Sequence, residues 1–298
     1  MAKRSRDTLF VSLARELGWR AYAIPVLIVI TIWVLVDVFS GAPEGEITAD
    51  GDLTPTVGSG SAQTPGNSGP NPADSPAQAL PPTELPPGGP YAERGDRTYR
   101  VVGTPGLQAG EGREKTVTYV VEVENGVDTA GSGGDDALSA LVDATLSNPK
   151  GWTNDPRFRF VHVAADQEPD MRIQLTSVDT THAMCGSDLE METSCHINLD
   201  GVSHVVINES RWVRGATTYN GDLGSYRQYL LNHEVGHGIG YAAHEACGSN
   251  GELAPIMMQQ TLSLNNRELH SFNPDEVYPD NSDTCVFNPW PYPRPAVL

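Results

Sequence analysis

Two histidines and a glutamate in the sequence His233-Glu234-Val235-Gly236-His237 have the types and spacing of a metal-binding catalytic centre. Residues four apart on an α-helix are rotated by only about 40° and separated by about 6 Å along the axis, so both imidazoles leave one face. Neutral imidazole binds zinc, and a catalytic zinc has three protein ligands and a position open to water. Glu234 lies about 100° further round the helix, beside the metal, where its carboxylate can take a proton from zinc-bound water.

The residues before this motif predict a helix that buries both imidazoles. One face of that helix is formed by Tyr226, Tyr229, Leu230, His233 and His237. The expected helix covers about residues 223–239 and ends near Gly240. Two unpaired imidazoles on a buried face would be costly, and a metal ion shared between them removes this cost.

The third ligand must come from beyond the helix. Gly240 allows the chain to leave in a left-handed turn, and His244 is the best-placed residue to return to the metal. This arrangement resembles the extended motif of the metzincin clan of zinc peptidases, H-E-x-x-H-x-x-G-x-x-H/D. Gly240 matches the clan's glycine, but the last position falls on Ala243, so His244 requires a one-residue bulge. Two carboxylates remain as alternative ligands: Glu245 and, in a gluzincin-like arrangement, Glu268.

The metzincin resemblance also implies a methionine in a tight turn beneath the zinc. Residues 254–260 supply a candidate turn, in which Met257 is preferred to Met258. Gln259 stands where some members of the clan have a tyrosine ligand, so we expect no tyrosine ligand from this turn.

Further segments resemble an uncharacterised actinobacterial family of membrane-anchored proteins with a metzincin-like extracytoplasmic domain. These segments are Val205-Val206-Ile207-Asn208, Arg211-Trp212, Tyr229-Leu230-Leu231-Asn232, the methionine turn and Asn288-Pro289-Trp290-Pro291. The resemblance covers about residues 95–298. It implies location and fold better than substrate.

The pattern of the distal region predicts an α+β domain with a mixed twisted sheet, a zincin-like active-site helix and a cleft. A helix is expected at residues 135–146, before the metal-binding helix. Strands are expected at residues 97–102, 116–123, 158–163, 171–175 and 205–208. Strands followed by a metal-binding helix and a loop-rich tail are typical of the α+β class.

The sequence of residues 1–92 predicts a membrane anchor and a tether. Residues 1–20 form a basic cytoplasmic tail, and the apolar residues 21–39 are long enough for one transmembrane helix. A cleaved signal peptide, cut after residues 40–42, is the alternative. Residues 40–92 are expected to be a disordered linker, because residues 41–90 contain 11 prolines and 9 glycines and no apolar periodicity. Residues 93–298 form the predicted extracytoplasmic domain.

The four cysteines agree with export, because all of them lie in the distal domain: Cys185, Cys195, Cys247 and Cys285. An even number in an exported domain predicts two disulfides, and the sequence permits three pairings. We prefer Cys185 with Cys195, and Cys247 with Cys285 around the methionine turn. The net charge of −19 argues against nucleic acid as a partner.

These features predict a membrane-anchored, extracytoplasmic zinc peptidase that uses Zn²⁺, with Glu234 as its general base. The expected substrate is a peptide or protein, cell-wall peptides included, and the sequence does not indicate an oligomeric state. A substrate strand is expected to pair with an edge strand, for which residues 171–175 are a candidate. The alternative function is a non-catalytic zinc-containing binding module of the cell envelope.

The other histidines receive a structural interpretation. His162 and His204 lie in strand-like runs, whereas His182, His196 and His270 lie in loop-like sequence. Nothing in their spacing requires a second metal.

Overall fold

The structure is a computed structural model that describes residues 29–32, 80–81, 84–186 and 193–294. The chain divides into one unit of residues Met1–Asn71 and a second of residues Pro72–Leu298, which contains the sheet. Most of the predicted membrane anchor at residues 21–39 lies outside the described residues, and only residues 29–32 are seen, as helix. Within the described ranges, no helix is both long and apolar enough to cross a membrane.

The described part of the second unit is built from seven strands and five α-helices. The strands are β1 (Tyr99–Val102), β2 (Gln108–Gly110), β3 (Lys115–Glu124), β4 (Phe158–His162), β5 (Met171–Thr176), β6 (Cys195–Leu199) and β7 (Val202–Asn208). The helices are α1 (Asp135–Leu146), α2 (Val178–Cys185), α3 (Glu209–Arg214), α4 (Leu223–Ile239) and α5 (Asn266–Phe272).

The strands form one mixed sheet in the order β2-β4-β3-β5-β7-β6, with β1 paired to the second half of β3. The four central strands β4, β3, β5 and β7 run parallel. The outer strands β1, β2 and β6 are antiparallel to their neighbours. This arrangement confirms the predicted α+β class and mixed sheet.

The main core lies between the sheet and the helices α1 and α4. Alternate residues of β3, among them Tyr119, Val121 and Val123, are buried on the face that also carries Ile173 and Val205. Helix α4 packs against α1, β6 and β7. The H-E-x-x-H motif therefore lies on a helix that packs against both the sheet and α1.

The segment after α4 forms a second, smaller hydrophobic cluster. Its buried members are Cys247, Ala254, Met258, Leu262, Leu269, Tyr278 and Cys285. Both disulfides are formed in the pairing that we preferred, Cys185–Cys195 and Cys247–Cys285. The second disulfide joins the beginning and the end of this cluster.

Three expectations about individual residues of the domain were wrong. Residues 171–175 belong to β5, which lies in the sheet interior between β3 and β7 and is not an edge strand; the edge on that side is β6. His196 lies in strand β6, not in a loop. His182 and His270 lie in helices α2 and α5. Strand β6 and helices α2 and α5 have only 5, 8 and 7 residues, so their sequence patterns were too short to be recognised.

Candidate metal centre

Helix α4 carries the motif and begins and ends where the sequence indicates. The Asp222 side chain accepts a hydrogen bond from the backbone N–H of Ser225 at 2.9 Å, which caps the first turn. The helix ends at Gly240, whose φ of 121° is in the region that favours glycine. Beyond Gly240 the chain turns back, and His244 approaches the last turn of the helix.

Three imidazoles come together at this point. The nitrogen atoms that His233, His237 and His244 can offer to a metal lie within 4.8 Å of one another. Each ring is oriented through its Nδ1 atom, which is 2.9 Å from the carbonyl oxygen of Ile256 for His233 and 2.8 Å from that of Tyr241 for His237. Carbonyl oxygens accept only, so in these two rings the proton is on Nδ1 and Nε2 is free to bind a metal.

Burial supports the use of these rings as ligands. His233 is only 1% exposed, and its Nε2 is buried without a hydrogen-bond partner among the described residues. Burial, together with the nearby His237, lowers the pKa of His233 to about 3. Burial and the nearby His244 lower the pKa of His237 to about 4. Both rings are thus neutral above about pH 5, the form that a divalent cation binds. A cation would also satisfy the unpaired nitrogen of His233.

His244 is held by a residue that the sequence did not reveal. Its Nδ1 lies 3.1 Å from Oε2 of Glu276, which is 32 residues away in the chain. A carboxylate at this position fixes the ring and directs Nε2 toward the other histidines. The two alternative ligands do not join the cluster: Glu245 is exposed, and Glu268 accepts a hydrogen bond from Ser263. Only the fold could have identified Glu276, because no motif links it to His244.

Glu234 lies on the cleft side of the helix. Its side chain is almost completely buried, yet it lines the same cleft as His237 and His244. Burial raises the pKa of Glu234 to about 8. A carboxyl group with a raised pKa next to a candidate metal position can accept and return protons near neutral pH.

The methionine turn lies directly beneath the helix. A Cβ atom at Gly236 would lie 2.6 Å from Sδ of Met257, so the absence of a side chain at Gly236 permits this close contact. Met257 belongs to the main core, whereas Met258 belongs to the second cluster. The preceding residue, Ile256, supplies the carbonyl oxygen that orients His233. Met257, the methionine preferred from the sequence, therefore lies against Gly236 of the H-E-x-x-H motif.

Gln259, which stands where some metzincins have a tyrosine ligand, also lies in the cleft. Its side-chain Nε2 is 3.3 Å from Nε2 of His244. Its backbone N–H donates to the hydroxyl of Tyr278, whose ring stacks near His244.

The cleft runs between helix α4 and the edge strand β6 and has a volume of about 510 Å³. The wall on the β6 side is formed by Ser194, Cys195, His196 and Asn198. Two of the three histidines that could bind a metal thus line a cleft beside strand β6, which pairs only with β7 among the described residues.

The sheet, the helix and the three histidines define an α+β domain with a possible three-histidine metal site. Residues 85–293 match the family model DUF3152, whose description is a protein of unknown function. The chain therefore belongs to this family. No curated protein and no solved structure matches the chain.

Proposed function

We propose that this protein is an extracytoplasmic zinc-dependent peptidase. One observation carries the proposal: three histidines offer their nitrogens to a common point, and the carboxylate of Glu234 lines the same cleft. A site that only stabilised the fold would need no proton acceptor beside its ligands. The two disulfides suggest an extracytoplasmic domain.

The histidines, Glu234 and Glu276 have separate roles in the proposed hydrolysis. His233, His237 and His244 would hold the ion, which when bound makes water more acidic and polarises a carbonyl group. Glu234 takes a proton from the water that attacks the peptide carbonyl carbon. As the C–N bond breaks, Glu234 returns that proton to the leaving amine nitrogen. Glu276 keeps His244 in its orientation throughout.

Strand β6 supports a peptide rather than a compact small molecule as the substrate. Within the described residues, β6 pairs only with β7, so its other edge is open to an extended chain beside the cleft. A peptide bound there by main-chain hydrogen bonds would place one of its carbonyl groups near the histidines. Proteins, free peptides and the peptide stems of a cell wall all meet this requirement.

The substitution Glu234→Gln tests the proposal. It removes the proton acceptor but keeps the size of the side chain, so zinc should remain bound while turnover falls about 10²- to 10⁴-fold. The measurements are zinc content by mass spectrometry and the cleavage products of a peptide library with the full-length protein. The matched control is Glu245→Gln, because Glu245 is exposed and lies outside the histidine cluster. Unchanged hydrolysis in the Glu234 variant would disprove the role of Glu234.

A non-catalytic zinc-binding module is the second candidate function. The observation in its favour is the amide of Gln259, which lies 3.3 Å from Nε2 of His244. If the amide is turned so that its oxygen faces the metal, it becomes a fourth protein ligand and closes the site. X-ray absorption of the zinc-loaded protein, compared with the Gln259→Leu variant, distinguishes the two functions. The peptidase requires three protein ligands and water, and the module requires four protein ligands and no peptide cleavage.

A further inference from the structure

His196 lies in the cleft, although its sequence context gave it no role. It is on the edge strand β6, opposite Val205 of β7, and lines the cleft together with Glu234, His237 and His244. Its Cδ2 atom would be 3.5 Å from a Cβ atom placed on Gly238, the residue after His237. The ring therefore packs against the last turn of α4 beside the candidate metal centre.

Among the described residues, one nitrogen of this ring has a hydrogen-bond partner and the other has none. Nε2 of His196 lies 2.8 Å from the hydroxyl of Ser203, and Nδ1 makes no hydrogen bond within the described part of the chain. A neutral imidazole has one donor nitrogen and one acceptor nitrogen. When the Ser203 hydroxyl donates to Nε2, the proton is on Nδ1, which can then donate to a molecule in the cleft. The half-buried position of His196 leaves room for such a partner.

His196 is not a fourth metal ligand in this geometry. The only cluster of metal-binding side chains among the described residues consists of His233, His237 and His244. Strand β6 is also anchored at its start, because Cys195 forms a disulfide with Cys185. A side chain on this strand is thus held in place without a bond to the ion.

We infer that His196 is a further catalytic residue, which donates a hydrogen bond from Nδ1 to the substrate oxygen that becomes negative during attack. This role rests on the proposed peptidase function. The water oxygen forms a bond to the carbonyl carbon, and the π electrons of the carbonyl group move to its oxygen. His196 stabilises that oxygen without giving up its proton. Glu234 takes the proton that this water loses. The electron pair on the oxygen then re-forms the C=O bond as the C–N bond breaks, and the amine leaves with the C–N electron pair and the proton carried by Glu234. Removal of one such donor typically lowers kcat about 10²- to 10³-fold.

The test compares His196→Gln with His204→Gln in the full-length protein. His204 is the matched control, because it lies on the neighbouring strand β7 and bonds to Gln174 instead of lining the cleft. We expect His196→Gln to lower kcat at least 10²-fold, with KM changed less than about threefold and zinc affinity unchanged. Ser203→Ala, which frees the ring, should lower kcat to an intermediate extent.

Each other outcome is decisive. If the unaltered protein cleaves no peptide, the proposed function fails and the role of His196 falls with it. If the unaltered protein is active and His196→Gln retains its kcat, only the role of His196 is wrong. Loss of zinc from His196→Gln would show that His196 is a ligand, which also overturns the inference. A kcat loss of equal size in His204→Gln would show a general effect on the sheet and overturn it as well.

Discussion

At the scale of single residues, the burial of Glu234 gives the metal-free protein an unusual pH dependence. Burial raises the pKa of this carboxyl group to about 8 from an ordinary value of 4.5. The folded protein therefore holds a proton that the unfolded chain has released between about pH 4.5 and pH 8. Under the linkage relation, the stability that this protonated group contributes is lost as the pH rises through that window.

We predict that Glu234→Gln removes this pH dependence, because an amide does not ionise. The variant should be similar in stability to the unaltered protein at pH 5 and more stable at pH 9. Between pH 5 and pH 9, the stability of the variant relative to the unaltered protein should rise by on the order of 4 kcal/mol, at about 1.4 kcal/mol for each pKa unit. Urea unfolding of both metal-free proteins at the two pH values measures it. Parallel stability profiles would contradict the prediction, and bound zinc should reduce the difference by favouring the carboxylate.

Sequence alone could identify the histidines and the glutamate of the candidate metal site, but not the residues that support them. His233, Glu234 and His237 are adjacent on one helix, so their spacing determines their geometry. Glu276 is 32 residues from the His244 ring that it orients, and His196 reaches the cleft only because β6 is the edge strand. Such contacts depend on which elements pack together. No local pattern in the chain reports them.

At the scale of elements, α4 and the methionine turn approach so closely that the helix requires glycine. A Cβ atom at Gly236 would lie 2.6 Å from Sδ of Met257 and 2.7 Å from Cζ2 of Trp152. Glycine costs a helix interior up to about 1 kcal/mol relative to alanine. Here the open space allows the turn that orients His233 to pack beneath the motif.

We predict that Gly236→Ala destabilises the fold by about 1–3 kcal/mol, because the new methyl group overpacks this contact. Zinc affinity should fall as well, since a shifted turn moves the Ile256 carbonyl away from His233. Gly224→Ala is the control in the same helix, because Gly224 meets only a side-chain oxygen of Asp222 at 3.6 Å. That variant should be neutral or stabilising by up to about 1 kcal/mol. Thermal unfolding and zinc titration measure both effects, and equal behaviour of the two variants would refute the argument.

The proposed third ligand, His244, contacts Tyr278 of the second hydrophobic cluster and Glu276 in the same segment. Glu276 follows α5 within the segment closed by the Cys247–Cys285 disulfide, so the position of His244 depends on this cluster as well as on α4. Glu276→Gln should weaken zinc binding about 10- to 100-fold, as is typical when a carboxylate that orients a ligand is removed. The neighbouring Asp275→Asn is the control, because Asp275 is exposed. If both variants bind zinc as tightly as the unaltered protein, Glu276 does not position His244.

The elements themselves were predictable where their patterns were long. The expected helices at residues 135–146 and 223–239 match α1 and α4, and the long strand β3 covers the run predicted at residues 116–123. Strand β6 was missed because its residues are only partly buried and alternate weakly. The sheet order could not be predicted either, since parallel neighbours such as β3 and β5 are distant in sequence.

At the scale of the whole molecule, the charge distribution and the disulfides point in the same direction. Five of the 19 basic residues but only two of the 38 acidic ones lie in the first 20 positions. A basic segment ahead of an apolar run stays in the cytoplasm, so the distal domain would be exported. The cysteines pair only in that domain, which agrees with an oxidising compartment.

We predict that the full-length protein remains in the membrane fraction of bacterial cells after a carbonate wash. Protease added to intact spheroplasts should digest the domain, because the domain would lie outside the cytoplasmic membrane. A variant that lacks residues 1–39 is the control: it should stay in the cytoplasm with Cys247 and Cys285 reduced, as thiol labelling would show. N-terminal sequencing distinguishes the anchor from a cleaved signal peptide, which would yield a soluble form beginning near residue 43. A full-length protein protected from protease would contradict export. Because the proposed zinc ligand His244 is positioned by the segment that Cys247 and Cys285 close, the cytoplasmic variant should also bind zinc more weakly than the exported protein.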